Sequence, residues 1–557
     1  MHDLVIRGAR LIDGTGRPAS LADIAVTGGL IAALGDVRGR ARRTIDAPGL
    51  TVIPGVIDPH SHADLILPLA PERQRELMRC KLAQGITTTV IGNCGLGCAP
   101  VANAAAEAAL RAVNAWMTPE PVAWPWRGVG DYLDHLERNG LALNVATLVP
   151  HGPVRISAMG LAKGRPSPAQ ARRMRGLVGR GLREGALGLS SGLIYPPGMY
   201  SDPEELTDLA RLVADYGGVY ASHIRGEGAE VVQSVQELIT IAEKAGLPGE
   251  VFHLKVAHRP SWGIRMDSVR QVIEAARARG VDVAADMYVY TAGGTGLEAT
   301  IPSWAFEGGT DSLRARLNNP QTRARLKREQ QTGSPGWWNI VEAAGGWNGV
   351  ILVNARNPEN AKYEQKPLSE IARLMNKEPA DAAMDLVLQG QGRVMAIYHM
   401  MGEPDIETAL RFPWTSIGSD AGAILTLGQP DQTGLPHPRS FGNAARVIAE
   451  YVKKRKVLSL EEAVRKMTSW PATRMRLANR GMIKEGHWAD VTIFDLEKLD
   501  DRATYDQPMI FPTGIEYVLV NGVVTIDRDK HTGAKAGKVL YGPGKQGTGN
   551  REPGTGS

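Results

Sequence analysis

Short apolar runs alternate with amphipathic stretches along most of the chain. Helical patterns, such as residues 71–85 and 167–185, follow most of the apolar runs. Strands that are apolar throughout are typical of a parallel sheet buried on both faces. Eight such units predict an α/β fold built on a (β/α)8 TIM-like barrel. The eight predicted strands are residues 51–58, 87–93, 143–149, 186–192, 218–224, 250–256, 281–289 and 413–420.

The two ends of the chain share a different pattern of short alternating strands separated by turn residues. It occurs in residues 1–50 and returns in 481–495 and 515–527, where Asn521 and Gly522 separate two apolar runs as in a tight hairpin. Neither end is long enough to form a good core alone. The pattern therefore predicts one small β-sandwich built from both termini. The predicted boundaries are 1–53 and 478–540 for this sandwich, and 54–289 and 413–477 for the catalytic barrel.

The stretch between the seventh and eighth predicted strands is too long for one crossover connection. It contains four tryptophans and several helical patterns, which predicts an inserted subdomain at residues 290–412. Residues 541–557 are rich in glycine and predict a disordered tail.

Composition excludes several classes of protein without changing this picture. Of 557 residues, 43% are hydrophobic and 22% are charged, close to the average of soluble globular domains. The absence of an uncharged apolar run of about 18 residues argues against a membrane-spanning helix. The net charge is +5, and the basic clusters at 172–183, 323–328 and 453–456 lack interleaved aromatic residues. Neither a membrane nor a nucleic acid is therefore expected as a partner.

The chain contains three cysteines, Cys80, Cys94 and Cys98, which are too few for a disulfide framework in a protein of this length. Such usage is typical of a reducing compartment. The first residues also enter strand-like sequence directly, without the layout of a signal peptide. We therefore expect a cytoplasmic protein.

Metal-binding residue types occur where five of the predicted strands end. Residues i and i+2 of a strand face the same way, so two histidines in a His-Ser-His segment would point together into the barrel mouth. Taken singly, each residue is more often a core residue, but their coincidence at one end of a barrel predicts a metal site. Imidazole and thiolate together suit zinc. The residues are His60, His62, Cys94, His223, His253 and Asp420.

Cys80 and Cys98 fall outside this pattern. Cys80 lies in a predicted helix and Cys98 in a loop beyond the second strand. We expect both to be structural, as buried cysteines usually are.

The motifs around these residues resemble the metal-dependent amidohydrolase superfamily over nearly the whole chain, and most closely its N-acyl-D-amino-acid deacylase (D-aminoacylase) group. The His-x-His pattern and the terminal ADVTIFD are general to the superfamily, whereas GNCG and the YPPGMY segment are more specific to the group. The matching segments are PGVIDPHSHAD (54–64), GITTTVIGNCGLGCAPV (85–101), GLSSGLIYPPGMYSDPEEL (188–206), SHIRGEG (222–228), HLKVAH (253–258), DMYVYTAGGTGL (286–297), GSDAG (418–422), HPRSFG (437–442) and GMIKEGHWADVTIFD (481–495).

The resemblance implies how the metal would be held. His60 and His62 would ligate one position. Cys94, His223 and His253 would ligate the other, with Cys94 able to bridge the two. One or two zinc ions per chain are expected.

The resemblance also implies roles in catalysis and substrate binding. Asp420 would contact the metal and act as the catalytic acid/base while a metal-activated water attacks the carbonyl. A lysine, a tyrosine and an arginine would hold the substrate carboxylate, and a further tyrosine and histidine lie near the mouth. These five residues are Lys255, Tyr288, Arg439, Tyr195 and His151.

The expected reaction is zinc-dependent hydrolysis of the non-peptide C–N amide bond of a small N-acyl-D-amino acid, which releases a carboxylate and an amino acid. Leu254 stands where the group often has a second histidine, and Gly294 where a serine commonly helps to hold the carboxylate; the segment between Asp420 and Arg439 also looks longer than usual. Two alternatives therefore stay open, namely an amidohydrolase acting on other amides, carbamates or small dipeptides, and a metal-binding scaffold without turnover. Assembly into a homo-oligomer also stays open.

Overall fold

Eight parallel strands form a closed barrel at the centre of the computed structural model, which describes residues 1–390, 394–422, 434–528 and 530–546. The pairing runs in order from β1 to β3 and from β4 to β8. Val149–Pro150 continues β3 and pairs with β4, and a bridge between Ser61 and Ala421 joins the ends of β1 and β8. The predicted (β/α)8 barrel is confirmed. Its strands are β1 (Val56–Asp58), β2 (Ile86–Ile91), β3 (Asn144–Thr147), β4 (Gly188–Gly192), β5 (Val219–His223), β6 (Gly249–Val251), β7 (Val283–Met287) and β8 (Thr415–Ile417).

Helices cover the outside of the barrel between and after these strands. None of the helices in the described ranges combines the length and apolar character needed to cross a bilayer. The barrel helices are Pro71–Leu82, Ala104–Val113, Val129–Asn139, His151–Met159, Pro168–Glu184, Pro203–Asp215, Val231–Ala245, Arg265–Ala278, Glu403–Arg411, Arg439–Arg446, the π-helical Val447–Lys454, Leu460–Met467 and Ser469–Arg474. Short 3-10 turns occur at Ala115–Met117, Gly198–Tyr200 and Arg259–Ser261.

The helix Pro168–Glu184 shows how local sequence sets the bounds of these elements. Ser167 accepts a hydrogen bond from the backbone N–H of Gln170, whose side chain in turn accepts one from the backbone of Ser167. This capping box satisfies N–H groups that have no partner within the helix. Proline occupies the first helical position, and Gly185 ends the helix with a φ of 119°. That conformation favours glycine.

The first predicted strand, residues 51–58, is divided at Gly55 into two strands that belong to different sheets. Thr51–Pro54 pairs with the C-terminal strand Val491–Phe494, and Val56–Asp58 begins the barrel as β1. A Cβ atom at Gly55 would lie 2.2 Å from the side chain of Thr87 on β2. Only glycine therefore fits where the chain passes from one sheet to the other.

Strands from both ends of the chain form one nine-stranded sheet. The predicted terminal β-sandwich likewise draws its strands from both ends. His2–Leu11 pairs with Ala41–Asp46 along its first part and with Thr51–Pro54 along its last, so the sheet forks at this strand. Residues from both termini share one apolar cluster. The nine strands are His2–Leu11, Ser20–Thr27, Leu30–Gly35, Ala41–Asp46, Thr51–Pro54, Val491–Phe494, Ile515–Val520, Val523–Asp527 and Lys530–His531.

Residues between β7 and β8 form a unit with its own three-stranded antiparallel sheet and its own apolar cluster. The following helix Glu403–Arg411 contributes instead to the barrel core. The strands are Gly293–Gly296, Val350–Asn354 and Met395–Tyr398, and the helices are Thr310–Asn318, Pro320–Thr332, Ile340–Ala343, Leu368–Leu374 and Pro379–Gln389. The 3-10 turns are Leu297–Thr300, Ser303–Phe306, Trp347–Gly349 and Pro358–Tyr363.

The prediction of a disordered tail from residue 541 is wrong for its first part. The Tyr541 ring lies against Gly185, the backbone N–H of Gly542 donates to the carbonyl of Gly185, and Pro543–Gln546 is helical. Packing against the end of a barrel helix orders this glycine-rich segment. Residues 547–557 lie outside the described ranges.

Candidate metal centre and active site

The carboxyl end of the barrel brings together the side chains that the sequence predicts as metal ligands. All of them are buried. One possible ligand atom from each of His60, Cys94, His253 and Asp420 lies within 4.8 Å of the other three. The full set is His60 and His62 after β1, Cys94 after β2, His223 at the end of β5, His253 after β6 and Asp420 after β8.

The separations within this group match those of ligands around a common ion. Nε2 of His60 lies 3.2 Å from Sγ of Cys94 and 3.4 Å from Oδ1 of Asp420. Sγ of Cys94 lies 3.7 Å from Nε2 of His253, and Nε2 of His62 lies 3.1 Å from Oδ1 of Asp420. With Zn–N bonds of about 2.0–2.1 Å and Zn–S bonds of about 2.3 Å, tetrahedral ligand atoms are about 3–4 Å apart.

A second group of possible ligands lies on the other side of His253. It consists of His223, Glu227 and His253, whose ligand atoms also lie within 4.8 Å of one another. Nδ1 of His253 is 3.0 Å from Oε1 of Glu227, and Nε2 of His223 is 3.6 Å from its Oε2. His253 therefore links the two groups.

Asp286, at the end of β7, holds two members of the first group, His60 and His253. Nδ1 of His60 lies 3.0 Å from its Oδ1, which directs Nε2 of His60 toward Cys94. The same oxygen accepts a hydrogen bond of 2.9 Å from the backbone N–H of His253. Metal-binding histidines commonly have such a carboxylate behind them, because it fixes the ring orientation and tautomer.

Three of the predicted ligands adopt a backbone conformation that is rare outside glycine. Cys94, His253 and Asp420 have φ values of 52°, 36° and 48°. Such positions cluster at functional sites, where the surrounding structure imposes them. At Cys94, the close approach of β4 is part of that surrounding structure, because a Cβ atom at Gly192 would lie 2.0 Å from the carbonyl oxygen of Cys94.

The pKa shifts in the site differ in whether they favour cation binding. Burial holds the pKa values of His223 and His253 well below the usual histidine range, so both rings are neutral and can act as ligands. Burial would also lower the pKa of His60, but the carboxylates of Asp286 and Asp420 outweigh it and raise that pKa. Burial raises the pKa of the Cys94 thiol.

Asp420 is ionised in this environment. Burial alone would raise the pKa of its carboxyl, but the charge of Arg439 above all, together with His60 and a hydrogen bond from His62, holds that pKa well below the usual range. Asp420 can therefore accept a proton and provides negative charge next to the two histidines after β1.

Unpartnered polar atoms fit a cation at this point. Both ring nitrogens of the buried His223, and Nδ1 of the buried His62, have no hydrogen-bond partner in the described part of the chain. Buried polar atoms of this kind are uncommon, and coordination of an ion is one way to satisfy them.

Sequence reasoning missed Glu227, which lies at the centre of the second group. It contacts His223 and His253, and its Oε1 accepts a hydrogen bond of 2.5 Å from Nζ of Lys255. The available signal was an acidic residue four positions after His223 in the SHIRGEG segment.

The predicted substrate residues Lys255, Tyr288, Arg439 and Tyr195 line the same cavity as the metal group. The Arg439 guanidinium lies 4.7 Å from the centre of the Tyr288 ring, and its Nη1 lies 2.8 Å from Oδ2 of Asp420. Nζ of Lys255 lies 2.7 Å from Nδ1 of His253. Both cations are therefore near the centre, and both contact protein carboxylates.

The contacts of His151 do not support its predicted place at the substrate. It begins the helix His151–Met159, and its Nε2 lies 2.8 Å from Oε1 of Glu205, which also accepts a hydrogen bond from Arg155. His151 is not among the described residues that line the cavity. The preceding strand ends at Pro150. The contact with Glu205 directs the ring of His151 to the neighbouring helix Pro203–Asp215 rather than to the mouth.

The cavity has a volume of about 390 Å³ and extends from the metal group to the inserted unit. Volumes of this size are typical of sites for small molecules. Apolar side chains from both the barrel and the inserted unit form most of its wall, among them Met199, Phe306, Leu313, Trp337 and Trp338.

Comparison with known proteins agrees with this site. The family model described as the amidohydrolase family matches residues 43–296 and 353–526. The chain belongs to the amidohydrolase family. It is therefore a hydrolase.

Amidohydrolases of known activity match nearly the whole chain. It is 33% identical over 539 residues to a D-aminoacylase of Alcaligenes xylosoxydans xylosoxydans, covering 97% of each chain. It is 35% identical over 524 residues to an N-acyl-D-glutamate deacylase of the same organism, covering 93% of each.

A solved amidohydrolase structure has the same overall fold. It is the N-acyl-D-glutamate deacylase of Bordetella bronchiseptica, complexed with zinc and a phosphonate inhibitor that mimics the tetrahedral intermediate of its reaction. The sequence identity is 32%, the TM-score is 0.79, and the match covers 97% of this chain and 99% of that one.

Proposed function

We propose that this amidohydrolase uses zinc to hydrolyse the amide bond of N-acyl-D-amino acids. The observation that carries the proposal is the convergence of His60, Cys94, His253 and Asp420 at one point of the barrel mouth. The named activities of the full-length relatives support the choice of reaction and substrate.

The chain's own donor atoms suit zinc. His60 and His62 are the proposed ligands of one position, and Cys94, His223 and His253 those of the other, with Asp420 beside the first. A zinc ion held here would polarise the scissile carbonyl and supply a water molecule of lowered pKa. Neutral imidazoles and a cysteine sulfur are the ligand types that zinc prefers.

Asp420 is the proposed acid/base. Its ionised carboxylate can take a proton from the attacking water and pass it to the departing nitrogen, which an amine needs in order to leave. Arg439 and the histidines stabilise the ionised form before the reaction. Contacts with Nε2 of His62 and Nη1 of Arg439 hold the carboxylate at the barrel mouth.

Arg439, Lys255 and Tyr288 are the proposed residues that hold the substrate carboxylate, with Tyr195 lining the cavity near His223. Arginine can grip a carboxylate through two parallel hydrogen bonds. To do so, Arg439 has to share its guanidinium between the substrate and Asp420.

A second candidate function is hydrolysis of amides, carbamates or small dipeptides without a free carboxylate. Two observations favour it. Both Lys255 and Arg439 contact protein carboxylates, and Gly294 provides no hydroxyl beside them. A Cβ atom at Gly294 would meet nothing closer than 3.5 Å, so the site has room for a serine that this chain lacks.

One experiment tests both candidates. The zinc-loaded protein is assayed against matched N-acyl-D and N-acyl-L amino acids and their carboxamides, and its metal content is measured. Preferred hydrolysis of the N-acyl-D-amino acids, over the N-acyl-L-amino acids and over the carboxamides, supports the first candidate. Equal rates on carboxylates and carboxamides support the second, and a zinc-loaded protein inactive on every substrate contradicts both.

We also propose a cytoplasmic location, because the three cysteines are buried thiols rather than disulfides, and Cys94 has to stay reduced to bind metal. Localisation of the tagged protein in its own cell tests this. Homo-oligomerisation stays a prediction, which sedimentation velocity measures.

A further inference from the structure

Glu298 is a partly buried residue in the wall of the substrate cavity, and neither the metal group nor the proposed reaction gives it a role. It belongs to the turn Leu297–Thr300 of the inserted unit. Its Oε2 is buried and has no hydrogen-bond partner among the described residues. Burial raises the pKa of this carboxyl to about 7. A carboxyl oxygen that is buried without a hydrogen-bond partner is costly, which points to a partner supplied by a ligand.

The other buried charges of the cavity wall are already paired. Lys255 contacts Glu227, Arg439 contacts Asp420, and Arg225 forms a two-pronged pair with Glu237. Arg314 also lines the cavity, but it is exposed. Among the described residues of the wall, Glu298 is thus the acidic group that has no basic partner.

Glu298 lines the same cavity as the metal group, but from the side of the inserted unit. Its carboxyl folds back over Gly296, where a Cβ atom would lie 2.3 Å from Oε1. Next along the strand, Oγ1 of Thr295 lies 3.2 Å from the hydroxyl of Tyr195, whose ring centre is 5.2 Å from that of His223. A substrate held at the metal group would reach Glu298 only with a long side chain.

The wall near Glu298 suits the apolar stem of such a side chain. Phe306, Trp337 and Trp338 line the cavity from the inserted unit. Trp338 lies against Gly228, next to Glu227, so the aromatic wall begins beside the metal group. Lysine and arginine side chains bury their methylene stems on such surfaces, and aromatic faces attract their charged ends.

We propose that Glu298 binds an ammonium or guanidinium group at the far end of the substrate, so that N-acyl derivatives of basic D-amino acids are preferred. The inference rests on the proposed function and specifies its substrate class. An acidic side chain would face a carboxyl group without a cation beside it. A neutral side chain would leave Oε2 of Glu298 without a partner.

Paired substrates test the proposal directly. N-acetyl-D-lysine and N-acetyl-D-norleucine share the same four-carbon stem and differ in the terminal ammonium. We expect the zinc-loaded enzyme to favour the lysine derivative by about tenfold or more in kcat/KM, mainly through KM, as a charge-assisted hydrogen bond predicts. Glu298→Gln should remove that preference.

Two further variants make the result specific. Gly296→Ala should displace the Glu298 carboxyl and reduce the preference without removing the charge. Glu364→Gln changes a carboxyl of the inserted unit that does not line the cavity, and it should leave the preference unchanged. Calorimetry of the binding of the two products, D-lysine and D-norleucine, tests the role of Glu298 without requiring turnover.

The outcomes separate this inference from the proposed function. If the norleucine derivative is hydrolysed as well as the lysine derivative, or if Glu298→Gln keeps the preference, the inference is wrong and the deacylase function stands. If neither derivative is hydrolysed by the zinc-loaded enzyme, the proposed function fails. Equal binding of the two products would overturn the role of Glu298 in either case.

Discussion

Among single residues, the three cysteines of this protein have different expected roles although all are buried thiols. We predict that Cys94→Ser loses most of its tightly held zinc, because it removes a direct ligand between His60 and His253. The loss of affinity should exceed the about 10- to 100-fold that removal of an outer partner costs. Cys80→Ser is the matched control, and equal zinc content in wild type and Cys94→Ser would contradict the assignment.

Asp420→Asn tests the proton transfer. The amide is nearly the same size as the carboxyl group but cannot carry a proton at neutral pH. We expect kcat to fall by about 10²–10⁴-fold, the usual contribution of acid–base catalysis, while the fold and most of the zinc are kept. Steady-state kinetics measures kcat, circular dichroism follows the fold, and metal analysis gives the zinc content. A variant within about tenfold of wild type would place the proton transfer elsewhere.

Arg439→Ala tests the carboxylate grip. We expect KM to rise and kcat/KM to fall by about 10- to 100-fold for substrates with a free carboxylate, because a charge-assisted hydrogen bond is lost. The preference for D over L substrates should weaken, since the carboxylate no longer fixes the side-chain direction. Because Arg439 also contacts Asp420, the carboxamide of each substrate is the control. An equal loss on both forms would show that Arg439 acts only through Asp420.

At the scale of elements, a buried ion pair ties the first barrel helix to the loop that carries Asp420. Nζ of Lys81, in helix Pro71–Leu82, lies 2.7 Å from Oδ2 of Asp58 at the end of β1. Asp58 also accepts hydrogen bonds of 2.8 and 2.6 Å from the backbone and hydroxyl of Ser419. The backbone N–H of Asp420 then donates to the carbonyl of His60.

Lys81→Met should therefore destabilise the fold by about 3–5 kcal/mol, because it leaves the Asp58 carboxylate buried without its cation. Urea denaturation followed by fluorescence measures the free energy of unfolding. Arg38→Met, which breaks an exposed pair with Asp36, should cost only about 0–1 kcal/mol. Similar losses in the two variants would show that the buried pair has no special role.

The periodicity within each element made the barrel predictable from the sequence. Features that depend on contacts between distant elements were not predictable in this way. Each barrel strand is a continuous apolar run followed by a helix, so strand order and the mouth residues followed from the pattern. Within residues 51–58, the passage from one sheet to the other depends on the approach of Thr87 to Gly55. Likewise, His151 follows a strand as the metal ligands do, but a carboxylate from another helix orients it. Glu227 was missed because its three partners come from β5 and the segment after β6.

At the scale of the whole molecule, one buried polar network joins the terminal sheet to the barrel. Asp490 pairs with Arg480 and accepts hydrogen bonds from the backbone of Asn521 and the side chain of Asn144 on β3. We predict that Asp490→Ala strongly reduces the free energy of unfolding, by about 3–5 kcal/mol, because Arg480 is left buried and unpaired. Turnover per folded, zinc-loaded molecule should change little, since the network lies away from the cavity. A stable variant with poor turnover would contradict this division of roles.

The shared terminal sheet also sets when the protein can complete its fold during synthesis. Thr51–Pro54 lies beside Val491–Phe494, so an early strand has to wait for one made near the end. Roughly 440 residues separate these partners, and at about 5–20 residues per second the ribosome needs about 20–90 s to make them. Throughout that time the nascent chain presents unpaired apolar strands, which makes chaperone supply and translation rate the expected determinants of its yield.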